Sequence, residues 1–127
     1  MEKTVQQIEP EMVIHLAATS FEPFAASHPW RVLQNNLLST LNLLKVCQQS
    51  GAAKPKIVIT SSSAVYGHHP EHRLPLTEAQ PLAPLTTYGV SKVAVETLAR
   101  QHHQAYGVDM VLARPFNLPG SGGHPCF

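Results

Sequence analysis

"KIVITSSS", residues 56–63, decides how the rest of the chain is read. Four apolar or β-branched residues in a row, with no alternation, describe a strand covered on both faces, the pattern of a parallel sheet. Three hydroxyls at its carboxyl end place polar, accessible groups where parallel α/β sheets bind ligands. Outward from it, "MVIHLAA" (12–18) has the same character, β-branched and ending in small residues. "VDMVLARPFN" (108–117) supplies a third strand.

Between these strands the period changes. From about Arg31 to Ser50, Leu33, Leu37, Leu41 and Leu44 recur at spacings of four and three, which predicts a helix, with Gly51 as its stop. A second helix is predicted from Thr87 to Tyr106, with Val90, Val93, Ala94 and Leu98 on its apolar side and Gly107 as its cap. "TSFEPFAASHP" (19–29) reads as a proline-punctuated loop, with Phe24 and Trp30 as anchors over the core. Gly67 to Thr87, with four prolines and no period, reads as a long loop of the kind that more often serves function. The order strand, helix, strand, helix, strand implies a parallel sheet with right-handed crossovers.

Composition narrows the function. The chain has 127 residues, 43% hydrophobic and 13% charged, the size and balance of one domain. A formal net charge of +1 gives no electrostatic reason to expect nucleic acid or an anionic membrane. Cys47 and Cys126 are too few and too scattered for a disulfide framework, and Cys47 lies on an apolar helical stripe as a buried thiol. With a polar, acidic "MEKTVQQIEPEM" at the start and no run of about 20 apolar residues, the expectation is a cytoplasmic protein. The eight histidines include "GHHPEH", with His68, His69 and His72. That cluster is loop-borne and has no cysteine near it, so no metal site is expected. His15, inside a strand, reads as a satisfied core histidine.

"TTYGVSK" (86–92) carries the chemistry. Tyr88 and Lys92 are four apart and share one helical face. A phenol titrates near 10, and a neighbouring ammonium lowers that value by stabilising the phenolate. Reaching about 7 takes roughly 4 kcal/mol, at 1.36 kcal/mol per unit. The spacing alone equally describes an exposed helix face. What favours the catalytic reading is "SSSAVYG" upstream, since a strand-end serine can hydrogen-bond the oxygen that the tyrosine protonates. A hydroxyl, a phenol and a lysine around one dry site suit proton transfer coupled to hydride transfer with a nicotinamide.

With these residues in view, the chain resembles the middle of an extended short-chain dehydrogenase/reductase, of the NAD-dependent nucleotide-sugar epimerase/dehydratase group. "VIHLAA" resembles the family's fourth strand, and "NNLLSTLNLLKVC" its N-V-x-G-T-x-N-L-L-E-A helix. "IVITSSSAVYG" followed by "PLTEAQPLAPLTTYGVSKVAVE" resembles the serine-bearing strand, the acidic loop and the Y-G-x-S-K helix. "RPFNLPG" resembles the R-P/Y-F-N-x-x-G segment after the sixth strand.

The resemblance implies Tyr88 as acid/base and Lys92 as its pKa-lowering partner and ribose anchor. It implies Ser62 as the catalytic hydroxyl, with Ser61 and Ser63 as near alternatives. The cofactor side would comprise Leu16, Ala17, Ala18, Asn36, Ser61, Tyr88, Lys92 and Pro115, with Phe116 near the nicotinamide. Ser62, Ser63 and Asn117 would face the substrate, and Glu78 would help to fix the loop. NAD or NADP is the implied cofactor and a nucleotide sugar the implied substrate, with a homodimer through the two long helices as the implied assembly.

Ser39 stands in place of the family's glycine. Ser63 and Ala64 stand where the 4,6-dehydratases carry aspartate and glutamate, which disfavours water elimination and leaves epimerase, 4-keto reductase or decarboxylase-like chemistry. No G-x-x-G-x-x-G turn precedes "VIHLAA", and the glycines of "PGSGGHP" follow a strand with no helix after it. The expected architecture is therefore a partial NAD(P)-binding, Rossmann-like, doubly wound parallel sheet over residues 1–127. It would lack the first strands and the C-terminal substrate domain, and be inactive in isolation. The competing reading is a non-catalytic relative with a protein-interaction role.

Overall fold

The computed structural model describes residues 2–50 and 54–117. In chain order these form α1 (Glu2–Ile8), β1 (Met12–His15), α2 (Glu22–Ser27), α3 (Pro29–Gln49), β2 (Lys56–Thr60), α4 (Thr87–Tyr106) and β3 (Met110–Ala113). The strands form one sheet in the order β1-β2-β3, and both pairings are parallel. The register sets Val13 beside Ile57, and Ile59 beside Leu112.

Sequential strand order with right-handed crossovers puts both connecting helices on one face. There α3 and α4 pack on each other and on the sheet, around a core of Leu43, Leu44, Cys47, Ile57, Ile59, Val95, Ala99 and Val108. The opposite face is barer. Ile14 is 61% exposed, and Met12 and Val111 are also exposed. Among the described residues the outer strands are thus covered on one face only. Helix α4 is bounded as predicted, with Thr86 capping its start and Gly107, at φ 65°, its end.

Four expectations change. Residues 22–27 are a helix, not a loop, because Pro23 sits in the first turn, where its missing N–H costs nothing. Pro29 likewise starts α3 two residues before Arg31. Trp30, 73% exposed on α3, is no core anchor. The buried stripe of α3 is also rotated from the leucines. It runs through Val32, Asn36, Thr40, Leu43, Leu44 and Cys47, while Leu33, Leu37 and Leu41 flank it half-buried. Gly51, Cys126 and the "PGSGGHP" glycines lie outside the described residues.

No helix among the described residues is long and apolar enough to cross a membrane.

Candidate active site

The site forms where three strand exits meet the first turns of α4. Beyond Thr60 the β2–β3 pairing continues without regular strand, as Ser61 N–H donates to the Ala113 carbonyl (2.7 Å) and Ser63 N–H to that of Pro115 (3.0 Å). Alternation along this extended backbone separates the serines. Ser61 follows Ile57 and Ile59 towards the helices and donates to Glu96 Oε1 at 2.6 Å. Ser62, on the other side of the pleat, opens onto the same surface as Tyr88. The Ser62 hydroxyl accepts from Ala64 N–H at 3.2 Å, capping a short 3-10 turn over Ser63–Val65.

Helix α4 presents Tyr88, Lys92 and Glu96 at intervals of four. Gly89 lets this face come close, since a Cβ there would stand 2.7 Å from the Ala64 carbonyl oxygen. Lys92 is only 5% exposed, donates to the Thr60 carbonyl at 2.8 Å, and lies 5.7 Å from the centre of the Tyr88 ring. Burial holds its ammonium below the usual lysine value. The expectation that lysine would pull the phenol down is not met in this arrangement. Burial pushes Tyr88 up, the Ser62 hydrogen bond opposes it, and the Glu22 charge adds to the upward push. Tyr88 is thus a protonated phenol, poised to donate.

Asn36 acts from beneath. Its side-chain oxygen accepts from Thr19 N–H at 2.7 Å, while its amide nitrogen donates to the Thr19 carbonyl (3.1 Å) and to Ser91 Oγ (2.9 Å). Ser91 in turn donates to the Tyr88 carbonyl at 2.7 Å. One buried amide thereby ties the β1 exit to the turn that carries Tyr88. His15 lies in the same layer, hydrogen-bonded to Thr40 Oγ1 at 3.0 Å; burial, then the Lys92 charge, holds its pKa low.

Two open depressions meet at Tyr88 and Ser62. One, of about 300 Å³, is lined by Leu16, Ala18, Ser61, Ser62, Tyr88, Lys92, Pro115, Phe116 and Asn117 among others. The other, of about 340 Å³, adds Glu22, Ser63, Ala64 and Gly67, and shares Ser20, Ser62, Tyr88, Phe116 and Asn117 with the first. Most of the residues singled out from the sequence therefore converge. Ala17 and Asn36 are in neither lining, and Ser63 belongs to the second depression alone.

The sequence reading missed a buried polar cluster around Glu96. Glu96, 1% exposed, receives Arg114 through two hydrogen bonds, Nε to Oε1 (2.8 Å) and Nη2 to Oε2 (2.7 Å), besides Ser61. Arg114 also donates to the Tyr66 hydroxyl (2.9 Å) and to the Glu78 carbonyl (3.3 Å), so Glu78 joins the loop contacts through its backbone. Burial would raise the Glu96 pKa, but the hydrogen bonds from Arg114 and Ser61 and the Arg114 charge bring it below the usual carboxylate value. The available signal was Glu96 at the third place of the Tyr88–Lys92 series, on a buried face. Among the described residues, no three His, Cys, Asp or Glu side chains converge to hold a metal.

A parallel three-stranded sheet with its polar set at the carboxyl ends is Rossmann-like. The chain belongs to the NAD dependent epimerase/dehydratase family, whose profile matches residues 1–126. It is 42% identical over 118 residues to the GDP-6-deoxy-D-mannose reductase of Pseudomonas aeruginosa, covering 93% of this chain and 38% of that protein. Among solved structures it is similar to RMD from Pseudomonas aeruginosa complexed with NADPH (TM-score 0.85, 39% identity, 93% of this chain and 40% of that one). It is also similar to the UDP-glucose 4-epimerase from Brucella ovis in complex with NAD (TM-score 0.85, 30% identity, 91% and 34%). The chain thus spans well under half the length of each.

Proposed function

We propose that this chain is the acid/base segment of an NAD(P)-dependent nucleotide-sugar epimerase or 4-keto reductase. The observation that carries this reading is the placement of Ser62 and Tyr88 where two depressions meet, with Lys92 lining the first, which suits a cofactor, and not the second, which suits a substrate. Small side chains at Ala18 and Ser61 leave room beside the backbone for a flat ring, and Lys92 has donors beyond the one given to Thr60. These fit the nicotinamide-ribose half of a dinucleotide, with Lys92 and Tyr88 holding the ribose. When bound, that cofactor supplies or accepts the hydride.

The remaining steps belong to the chain's own residues. Ser62 hydrogen-bonds the reacting sugar oxygen and holds it at the phenol. Tyr88, kept protonated by burial, gives its proton to that oxygen as a carbonyl is reduced, and takes it back in the reverse direction. Lys92, 5.7 Å from the ring centre, is the cation set beside the phenol as it gives up its proton. Ser63 and Ala64 place no carboxyl beside the sugar from the β2 exit, which supports hydride and proton transfer over water elimination.

The test is Tyr88→Phe in the full-length protein, assayed with NAD and NADP against a panel of nucleotide sugars. The expected result is a loss of kcat of about 10²–10⁴-fold, the usual contribution of a general acid/base, with KM little changed. Unchanged turnover removes Tyr88 from the mechanism. The isolated 127 residues, whose sequence holds no glycine-rich pyrophosphate turn, are expected to give no turnover.

A further inference from the structure

Helix α2 brings an acid to the substrate side of the site. Glu22 is the first residue of that helix, where its dipole favours a carboxylate, and it lines the depression of about 340 Å³ with Ser63, Ala64 and Tyr88. Its Oε1 accepts from Thr86 Oγ1 at 3.0 Å. The same hydroxyl accepts from Gly89 N–H at 3.1 Å, so Glu22 is fastened to the turn that carries Tyr88. Its charge reaches the phenol, reinforcing the upward push of burial. The rest of the lining is serine, asparagine, glycine and apolar side chains, with no lysine, arginine or histidine among the described residues.

We infer that Glu22 is a specificity-determining residue, by which the site accepts a hexose that is uncharged at C6 and rejects the corresponding uronate. The inference rests on the nucleotide-sugar reading above and names the sugar class. A uronate entering this depression would bring a second carboxylate beside Glu22 with no cation among the described lining residues to balance the pair, and like charges at close range repel. A hydroxymethyl or methyl group brings no such charge. Glu22 uses one acceptor position for Thr86 and keeps others for sugar hydroxyls. The same repulsion keeps the anionic diphosphate away from α2 and turns the sugar towards it.

The experiment measures calorimetric affinities of the full-length, cofactor-loaded protein for two matched pairs, UDP-glucose with UDP-glucuronate and GDP-mannose with GDP-mannuronate. Within each pair only C6 differs. The wild type is expected to bind the neutral member about 10- to 100-fold more tightly in the nucleotide series that it accepts. Glu22→Gln, which keeps an oxygen for Thr86, is expected to bring the two members within about threefold by strengthening the uronate. Equal affinities in the wild type, or an unchanged ratio in Glu22→Gln, would overturn the inference while leaving the nucleotide-sugar reading in place. Binding of no member of either pair would overturn that reading, and the inference with it.

Discussion

Glu96 offers the sharpest test of how this site is held. Replacing it by glutamine preserves shape but removes the anion that Arg114 grips with two hydrogen bonds and Ser61 with a third. The Arg114 side chain is 10% exposed, so its guanidinium would be left without a counter-charge and with little water to compensate. Breaking a buried pair from one side costs about 3–5 kcal/mol. The Arg100 contact, at 3.5 Å with its arginine 60% exposed, adds about 0.3–0.5 kcal/mol at most. A domain stability of about 5–15 kcal/mol would lose a large fraction. With a urea slope of about 2 kcal/mol/M, the unfolding midpoint should fall by about 2 M.

The sign of the pH dependence follows from the same group. The folded-state pKa of Glu96 lies below its unfolded value, so its contribution is complete above the ordinary glutamate range and is lost as pH falls through the folded value. Wild-type protein should therefore lose urea resistance as pH drops below about 4.3, and Glu96→Gln should lack that component. A paired replacement, Glu96→Leu with Arg114→Met, should recover most of the midpoint, because the cost lies in the orphaned charge. A Glu96→Gln midpoint within about 0.3 M of wild type, or a wild-type acid slope retained in the variant, would refute the argument.

His15 should give a second, higher pH window. Its pKa is held down by burial and then by the Lys92 charge, so its contribution to stability is present above about 6.5 and lost as pH falls through the folded value. Urea midpoints measured from pH 7.5 to 5 should decline in the wild type and flatten in His15→Asn; equal slopes would sink the idea. Gly67→Ala should destabilise by about 2–4 kcal/mol, because φ is 70° and the new Cβ would lie 2.0 Å from the Ala83 carbonyl oxygen. Hydrogen exchange at Ala83 N–H, which donates to the Val65 carbonyl at 3.0 Å, should accelerate. An unchanged exchange rate there would show that the loop absorbs the methyl group.

Much of the fold can be read from the chain because its strands and long helices differ in hydrophobic period. Helix α4 shows its cap and its glycine stop in plain order, but its buried face runs through Ser91, Lys92, Val95, Glu96 and Ala99, and Val90, expected on the apolar side, is exposed. Helix α2 is hidden, because six residues cannot display a period and proline marks first turns as often as loops. The buried face of α3 is hidden for another reason. Asn36 and Thr40 look like surface residues until Thr19, Ser91 and His15 satisfy them. Tyr88, Lys92 and the serine run could be picked out by spacing. Glu22 and Arg114 could not, since their partners are brought to them only by the crossovers, and Glu96 shows only as the third step of the Tyr88–Lys92 series.

One helix face explains why these residues act together. Tyr88, Lys92 and Glu96 follow at one-turn intervals along α4 and meet Ser62, the Thr60 carbonyl, and Ser61 with Arg114 respectively. The hydroxyl, the lysine and the buried carboxylate are therefore three readings of a single docking of α4 on the β2 and β3 exits. A rotation of that helix would move the phenol from Ser62 and uncover the Glu96–Arg114 pair in one motion. Because the pair costs several kcal/mol to break, it holds the register within which Tyr88 is set beside Ser62. On this account Glu96 positions Ser61 and, through the next peptide, Ser62. The dependence of turnover on Glu96 should then run through the orientation of Ser62 rather than through any proton that Glu96 itself exchanges.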